Sequence, residues 1–265
     1  MSSEINQQFP LALKLDSRAT FSSFWSAADS ELISALQSLA APAVAPVAID
    51  EAIDEAIHKD QPAAGWVYIT GGQGSGISHL LQACVTLATE HQLSAMYLSL
   101  NELIMASNAE DVNAAATMAG YFDGLESFDL LCIDDIECLV DQPFWQEQLF
   151  YLIEKLKNRS DARLVLGSHS LAAELEIDLA DLKSRLKWAT GFQLSVLSDE
   201  QKTQVLQFKA ERLGLVMSAE VASFLMNRCS RNMADLSELL ARLDQQALSS
   251  GRRLTIPWLK TVLDC

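Results

Sequence analysis

The chain has 265 residues, 49% of them apolar, enough to build one large core or two modest ones. No apolar run approaches a membrane span, the start (Met1 to Gln8) is polar rather than signal-like, and the five cysteines form no C-x-x-C pair. Membrane and disulfide-stapled classes are thereby disfavoured and a reduced, cytoplasmic setting is expected. The net charge of −16 is uneven: residues 1–154 carry 3 Lys/Arg against 22 Asp/Glu (−19), and residues 155–265 carry 16 against 13 (+3), a balance that opposes tight direct DNA binding.

In chain order, Gln8-Phe9-Pro10-Leu11-Ala12-Leu13 comes first. Pro10 disfavours helix, and apolar residues at alternate positions suit a groove, although a tail or a first strand on the core has the same pattern. Ala19 to Trp25 packs three aromatics ahead of an amphipathic stretch, Ser30 to Leu39. Phe24 and Trp25 could cover a nucleotide base or pack in a core. Residues 40–61 repeat A-I-D-E-A-I-D-E-A-I and read as an acidic helix with Ile49, Ile53 and Ile57 on one side.

Trp66 to Thr70 is an apolar, strand-like run that feeds a four-glycine loop and then a helix, Ser78 to Thr89. That order points backbone N–H groups at a phosphate. From Gly71 through Gly76 to Ser78 the spacing fits G-x-x-x-x-G-K-[ST] except that Ile77 replaces the lysine. Loop amides and the Ser78 hydroxyl could still hold α- and β-phosphates and Mg²⁺. The ammonium that would neutralise the β/γ oxygens is missing, so binding without efficient hydrolysis is expected.

Ala95 to Leu100 reads as a second strand and Asn101 to Ala119 as a small-residue helix or loop. In Phe128 to Glu137, F-D-L-L-C-I-D-D-I-E, four apolar residues run into Asp134 and Asp135. In a P-loop protein the first acid holds Mg²⁺ through water and the second orients the attacking water. Cys84 and Cys132 fall on core faces. A helix from Phe144 to Asn158 and a strand from Arg163 to Leu166 follow, the strand ending at Gly167-Ser168-His169, a γ-phosphate sensor or a simple turn.

A short helix, Leu179 to Leu186, carries Lys183-Ser184-Arg185, and Thr190 to Leu194 is a last strand. Alternating strands and helices imply an α/β fold with a parallel, doubly wound sheet. From Ser198 only helices are expected, near 198–213, 218–229, 232–248 and 256–264. A Ser198/Gln201 capping box, the Leu236, Leu239, Leu240, Leu243 stripe and Pro257 at a helix start support a small all-α lid.

With the degenerate P-loop, I-D-D-I-E, L-K-S-R-L-K-W and the helical lid all in order, the chain resembles the AAA+ ATPase domain of the replication initiator DnaA. It is more similar to the DnaA-related regulators of the Hda type, which inactivate the initiator after replication has begun. The resemblance spans Phe9 to Leu263 and implies three parts: a clamp-binding segment (1–18), an AAA+ nucleotide-binding domain (19–196) and a lid (197–265). Past the lid, DnaA carries a DNA-binding helix-turn-helix domain for which there is no room before Cys265.

Carried over by position, the resemblance implies that Gln8, Leu11 and Leu13 anchor the chain on the DNA polymerase III β sliding clamp. It implies that Gly72, Gln73, Gly74, Ser75, Gly76, Ile77, Ser78 and His79 hold a nucleotide, ADP or another nucleoside diphosphate, with Mg²⁺ reached from Ser78 and, via water, Asp134. Arg185 becomes an arginine finger offered to ATP-bound DnaA; its plain reading is a surface ion pair. Ala234 lies where the initiator's lid presents an arginine, and Arg231 is one helical turn early. The expected function is a clamp-associated adaptor that stimulates hydrolysis by DnaA in trans. The rivals are a self-acting AAA+ NTPase that loads or remodels a replication component, and a nucleotide-free structural module. A homo-oligomer is left open.

Overall fold

The computed structural model describes residues 19–25, 29–41, 65–109, 122–247 and 253–263. The Gln8 to Leu13 motif and all but the first two residues of the acidic segment 40–61, including its repeat, lie outside them. Five strands are formed: β1 (Trp66–Thr70), β2 (Ala95–Ser99), β3 (Leu130–Asp134), β4 (Arg163–Ser168) and β5 (Thr190–Gln193). They make one sheet in the order β2-β3-β4-β1-β5, with every pairing parallel. Central strands of such a sheet are covered on both faces, which is why β1 and β3 are apolar at nearly every position and buried throughout.

The two-residue pleat divides those side chains between two cores. Trp66, Tyr68, Leu131, Ile133, Leu164 and Leu166 join one, and Val67, Ile69, Leu130, Cys132 and Val165 the other. The second core is closed by α1 (Ser30–Ala40), through Leu32, Leu36 and Ala40 at four-residue spacing, and by α2 (Ile77–Glu90), through Leu80, Leu81, Cys84, Val85 and Ala88. The first core is closed by α3 (Leu100–Ala109), α4 (Pro143–Lys157) and α5 (Ala180–Leu186). Pro143 at the start of α4 and Lys155 and Lys157 in its last turn match helix polarity.

After the sheet come α6 (Asp199–Arg212), α7 (Ala219–Arg228), α8 (Met233–Ala247) and α9 (Ile256–Val262), which share a third core. The Ser198 capping box is formed, and Leu236, Leu240 and Leu243 are buried while Leu239 is partly so. The chain is thus an α/β P-loop domain with a parallel sheet followed by an all-α lid. Among the described residues no helix is long and apolar enough to cross a membrane.

Three expected boundaries are corrected. Leu100 opens α3 instead of ending β2, since its side chain is buried under the helix. Ile77 rather than Ser78 opens α2, because the left-handed Gly76 is the residue that caps it. Finally, β4 continues through Gly167 and Ser168, which pair with Ile69 and Thr70, so the turn reading of that segment is wrong.

Candidate nucleotide site

The carboxyl ends of β1, β3 and β4 meet at the loop from Gly71 to Gly76, the place where open parallel sheets bind ligands. Ser75 N–H donates to the Gly72 carbonyl at 3.0 Å, and Gly74 (φ +74°) and Gly76 (φ +98°) take the left-handed conformation that wraps the loop. The first amides of α2 have no partner within the helix and project into this loop. Gly72, Gln73 and Ser78 are exposed there, and the Ser75 hydroxyl is buried without a hydrogen-bond partner. Orphan donors around an open loop fit a phosphate chain.

Ile77 does not occupy a cation's place in the loop; it is 3% exposed and belongs to the core under α2. A Cβ on Gly167 would come within 2.6 Å of Ile77 Cγ2 and of Asp134 Oδ1 alike. Hydrocarbon therefore packs beside the first acid, and a glycine on β4 makes room for both.

Asp134 is 3% exposed and accepts hydrogen bonds from Tyr97 Oη at 3.0 Å and from the Asp135 N–H at 3.0 Å. Asp135 sits at φ +62° and accepts from Ser99 Oγ at 2.6 Å. Burial, with the Asp134 and Glu137 charges adding to it, holds the Asp135 carboxyl above the ordinary carboxylate value against the pull of Ser99 and His169. Burial and the Asp134 carboxylate likewise push the Tyr97 hydroxyl up. Glu137 accepts from Ser168 Oγ at 2.9 Å and from the His169 N–H at 3.1 Å, and His169 Nδ1 lies 2.9 Å from the Gly71 carbonyl. Asp134 and the Ser78 hydroxyl are hard oxygen donors of the kind Mg²⁺ takes, but among the described residues no three acidic, histidine or cysteine side chains converge to hold a metal by themselves.

Phe24 lies against the loop, where a Cβ on Gly76 would come within 2.7 Å of its ring, and its centroid is 5.8 Å from that of His79, the rings tilted by 39°. His79 Nε2 is held by the Thr20 carbonyl at 3.0 Å and Ser23 Oγ at 3.1 Å. Trp25 packs instead against the lid core. The lid also reaches the loop: a Cβ on Gly74 would meet Asn232 Oδ1 at 2.5 Å, Met233 N at 3.1 Å and Ala234 N at 3.2 Å. Ala234 thus stands beside the phosphate loop, while Arg231 is exposed and paired with Asp199 at 3.2 Å.

Arg185 is on α5, across the sheet from α2. Its Nε donates to Glu154 at 2.6 Å and its guanidinium lies 4.0 Å from the Trp188 ring centroid. The structure brings together Gly72 to His79, Phe24, Asp134 and Asp135 and leaves Arg185 apart. Tyr97, Ser99, Glu137 and Asn232 were not singled out from the sequence. For the first two the signal was present: they alternate along β2, whose Ser99 pairs in register with Asp134.

Residues 15–193 match the family model of the bacterial DnaA ATPase domain, and residues 199–263 match that of the Hda lid domain. The fold is similar to domain III of the Thermotoga maritima replication initiation protein DnaA, at 20% identity over 93% of this chain and 95% of that one, with a TM-score of 0.66. It is also similar to AMPPCP-bound DnaA from Aquifex aeolicus, at 18% identity over 93% and 69% with a TM-score of 0.66, and to a replication initiator DnaA bound to AMPPCP and single-stranded DNA, at 17% over 90% and 70% with a TM-score of 0.65. The chain belongs to the bacterial DnaA ATPase-domain family, as an Hda-type, DnaA-related AAA+ protein.

Proposed function

We propose that this protein is a regulatory adaptor of replication initiation. It holds a nucleoside diphosphate, ADP in the first instance, between sheet and lid; the segment Gln8, Leu11, Leu13 anchors it on the sliding clamp; and Arg185 is offered to ATP-bound DnaA. Hydrolysis then takes place in the partner's site. The observation that carries this reading is the placement of positive charge. The loop can bind phosphates through amides, yet Ile77 is buried in the core and Ala234 brings no cation. Arg185 stands on the opposite side of the sheet, where it cannot serve its own loop. The bound nucleotide joins sheet to lid because Gly74 and the start of α8 are in contact, and the clamp supplies the location, so this acidic chain needs no tight grip on DNA.

The test is hydrolysis of ATP already bound to DnaA, with the clamp loaded on DNA, with and without this protein. Acceleration is expected, and Arg185→Ala should remove roughly 10³-fold of it, the scale of an arginine finger, while clamp binding is spared. Stimulation that survives Arg185→Ala refutes the assigned role. A self-acting NTPase is favoured by one feature, the Asp134-Asp135 pair, the first acid buried and the second half-buried with its carboxyl raised. Steady turnover by the purified protein alone would establish that reading instead.

A further inference from the structure

The surroundings of Arg185 are more ordered than an ordinary surface ion pair requires. Its Nε–H donates to Glu154 at 2.6 Å, with the two side chains only 23% and 35% exposed, and its guanidinium lies 4.0 Å from the Trp188 ring centroid. Among the described residues Nη1 and Nη2 have no partner. Glu154 therefore engages the inner edge of the guanidinium and leaves free the fork that matches two phosphate oxygens. Trp188 is itself fixed: it packs against the core and its ring is 6.4 Å from that of Trp66 on β1. The same ring carries Lys157 Nζ at 4.9 Å, one helical turn from Glu154. A single aromatic platform thus holds two cations, and the Glu154 carboxylate pairs with one of them, Arg185.

We propose that Glu154 and Trp188 are positioning residues that set the guanidinium of Arg185 in advance as a two-pronged fork for the phosphate oxygens of a nucleotide held by a neighbouring chain. The inference rests on the adaptor reading above. A free arginine would have to lose its rotamer freedom when the partner docks. Here the carboxylate fixes the Nε edge, the indole fixes the plane, and the ordering is complete before the encounter.

The experiment titrates this protein into ATP-bound DnaA with the clamp loaded on DNA, and reads both the saturating rate of hydrolysis and the half-saturating concentration. Glu154→Ala is expected to lower the saturating rate by roughly ten- to a hundredfold, the cost of a misplaced group, with the half-saturating concentration and the thermal midpoint unchanged. Glu154→Gln keeps an acceptor for Nε–H and should recover to within about fivefold of the parent rate, and Trp188→Phe keeps a stacking face and should fall by about as little. The proposal is overturned if Glu154→Ala stays within about twofold at saturation, or if it shifts only the half-saturating concentration or the thermal midpoint, since those mark a merely structural residue. Arg185→Ala separates the two levels. If it abolishes stimulation while Glu154→Ala does not, only the positioning role fails; if stimulation survives it, the adaptor reading itself fails.

Discussion

Replacing Gly74 with alanine tests whether the lid closes on the phosphate loop. Gly74 has φ +74°, a conformation that costs an alanine about 1–2 kcal/mol. The new methyl would also lie 2.5 Å from Asn232 Oδ1, 3.1 Å from Met233 N and 3.2 Å from Ala234 N. The amide oxygen could swing away, but it caps α8 by accepting from the Ala234 N–H at 2.8 Å, so its displacement costs about 1 kcal/mol. The two backbone nitrogens can move only if α8 moves. The sum is about 2–3 kcal/mol, and the part beyond the backbone strain falls on the contact that would enclose a bound diphosphate.

The left-handed strain is the same with and without ADP and cancels from the affinity, so only the lid clash, about 1 kcal/mol or more, is felt on closure and ADP affinity should fall by at least about fivefold. Titration calorimetry with ADP would measure it, with Gly72→Ala as the comparison. A Cβ on Gly72 meets nothing within 4 Å and its φ is not positive, so the thermal midpoint of the ligand-free protein should be unchanged there and lowered in Gly74→Ala. If Gly74→Ala retains ADP affinity within about threefold, α8 does not seat on the loop when nucleotide is bound, and the lid cannot be what encloses the diphosphate.

Two further outcomes follow from the acidic strand end. The Asp135 carboxyl is held above its ordinary value of 3.8, chiefly by burial, so its contribution to stability is fully present below that value and is lost as pH rises through the raised one. Asp135→Asn, which tolerates the left-handed backbone and can still accept from Ser99, should raise the thermal midpoint near neutral pH, with the gain vanishing as pH approaches 3.8; a pH-independent difference would refute the cause. Tyr97→Phe removes a donor from a buried carboxylate and should cost about 1.5–3 kcal/mol in denaturant unfolding at unchanged m-value. A cost below about 0.5 kcal/mol would mean that another donor replaces the phenol.

How far the sequence could be read depended on whether the signal was local. The five strands and the helices after Ser198 were legible because their apolar spacing is set by burial on one or two faces, and Leu236, Leu240 and Leu243 are buried on the face that pattern predicts. The shape of the glycine loop was legible because glycine positions are tied to backbone conformation, and Gly74 and Gly76 do lie at positive φ. The end of β4 was not, since Gly167-Ser168-His169 carries turn-like residues whose strand pairing with Ile69 and Thr70 is a tertiary fact. Partners that come from distant segments were equally hidden. Nothing local links Ser168 to Glu137, 31 residues earlier, or Asn232 to Gly74, and Glu154 meets Arg185 only because α4 and α5 pack side by side.

The distribution of charge is what motivates the proposal that this site binds a nucleotide without turning it over. A phosphate chain at rest needs donors that are already in place, and α2 supplies them with its free amides and the partial positive charge of its N-terminus. Phosphoryl transfer needs more, because charge develops on the transferring group and only a mobile or full cation near it lowers the barrier. The loop position that would hold such a cation is filled by the buried Ile77, and the lid's nearest approach ends in Ala234, whose own N–H is already taken by Asn232. Arg231, the nearby guanidinium, is turned to Asp199. Asp134, Asp135 and Glu137 add negative charge to the same place, so any anion beyond a diphosphate meets repulsion that only Mg²⁺ would relieve. The one guanidinium with an open fork among these candidates is Arg185, across the sheet. On the adaptor reading proposed above, a chain built this way would keep its own nucleotide as a structural joint and present Arg185 where only another molecule's nucleotide could meet it.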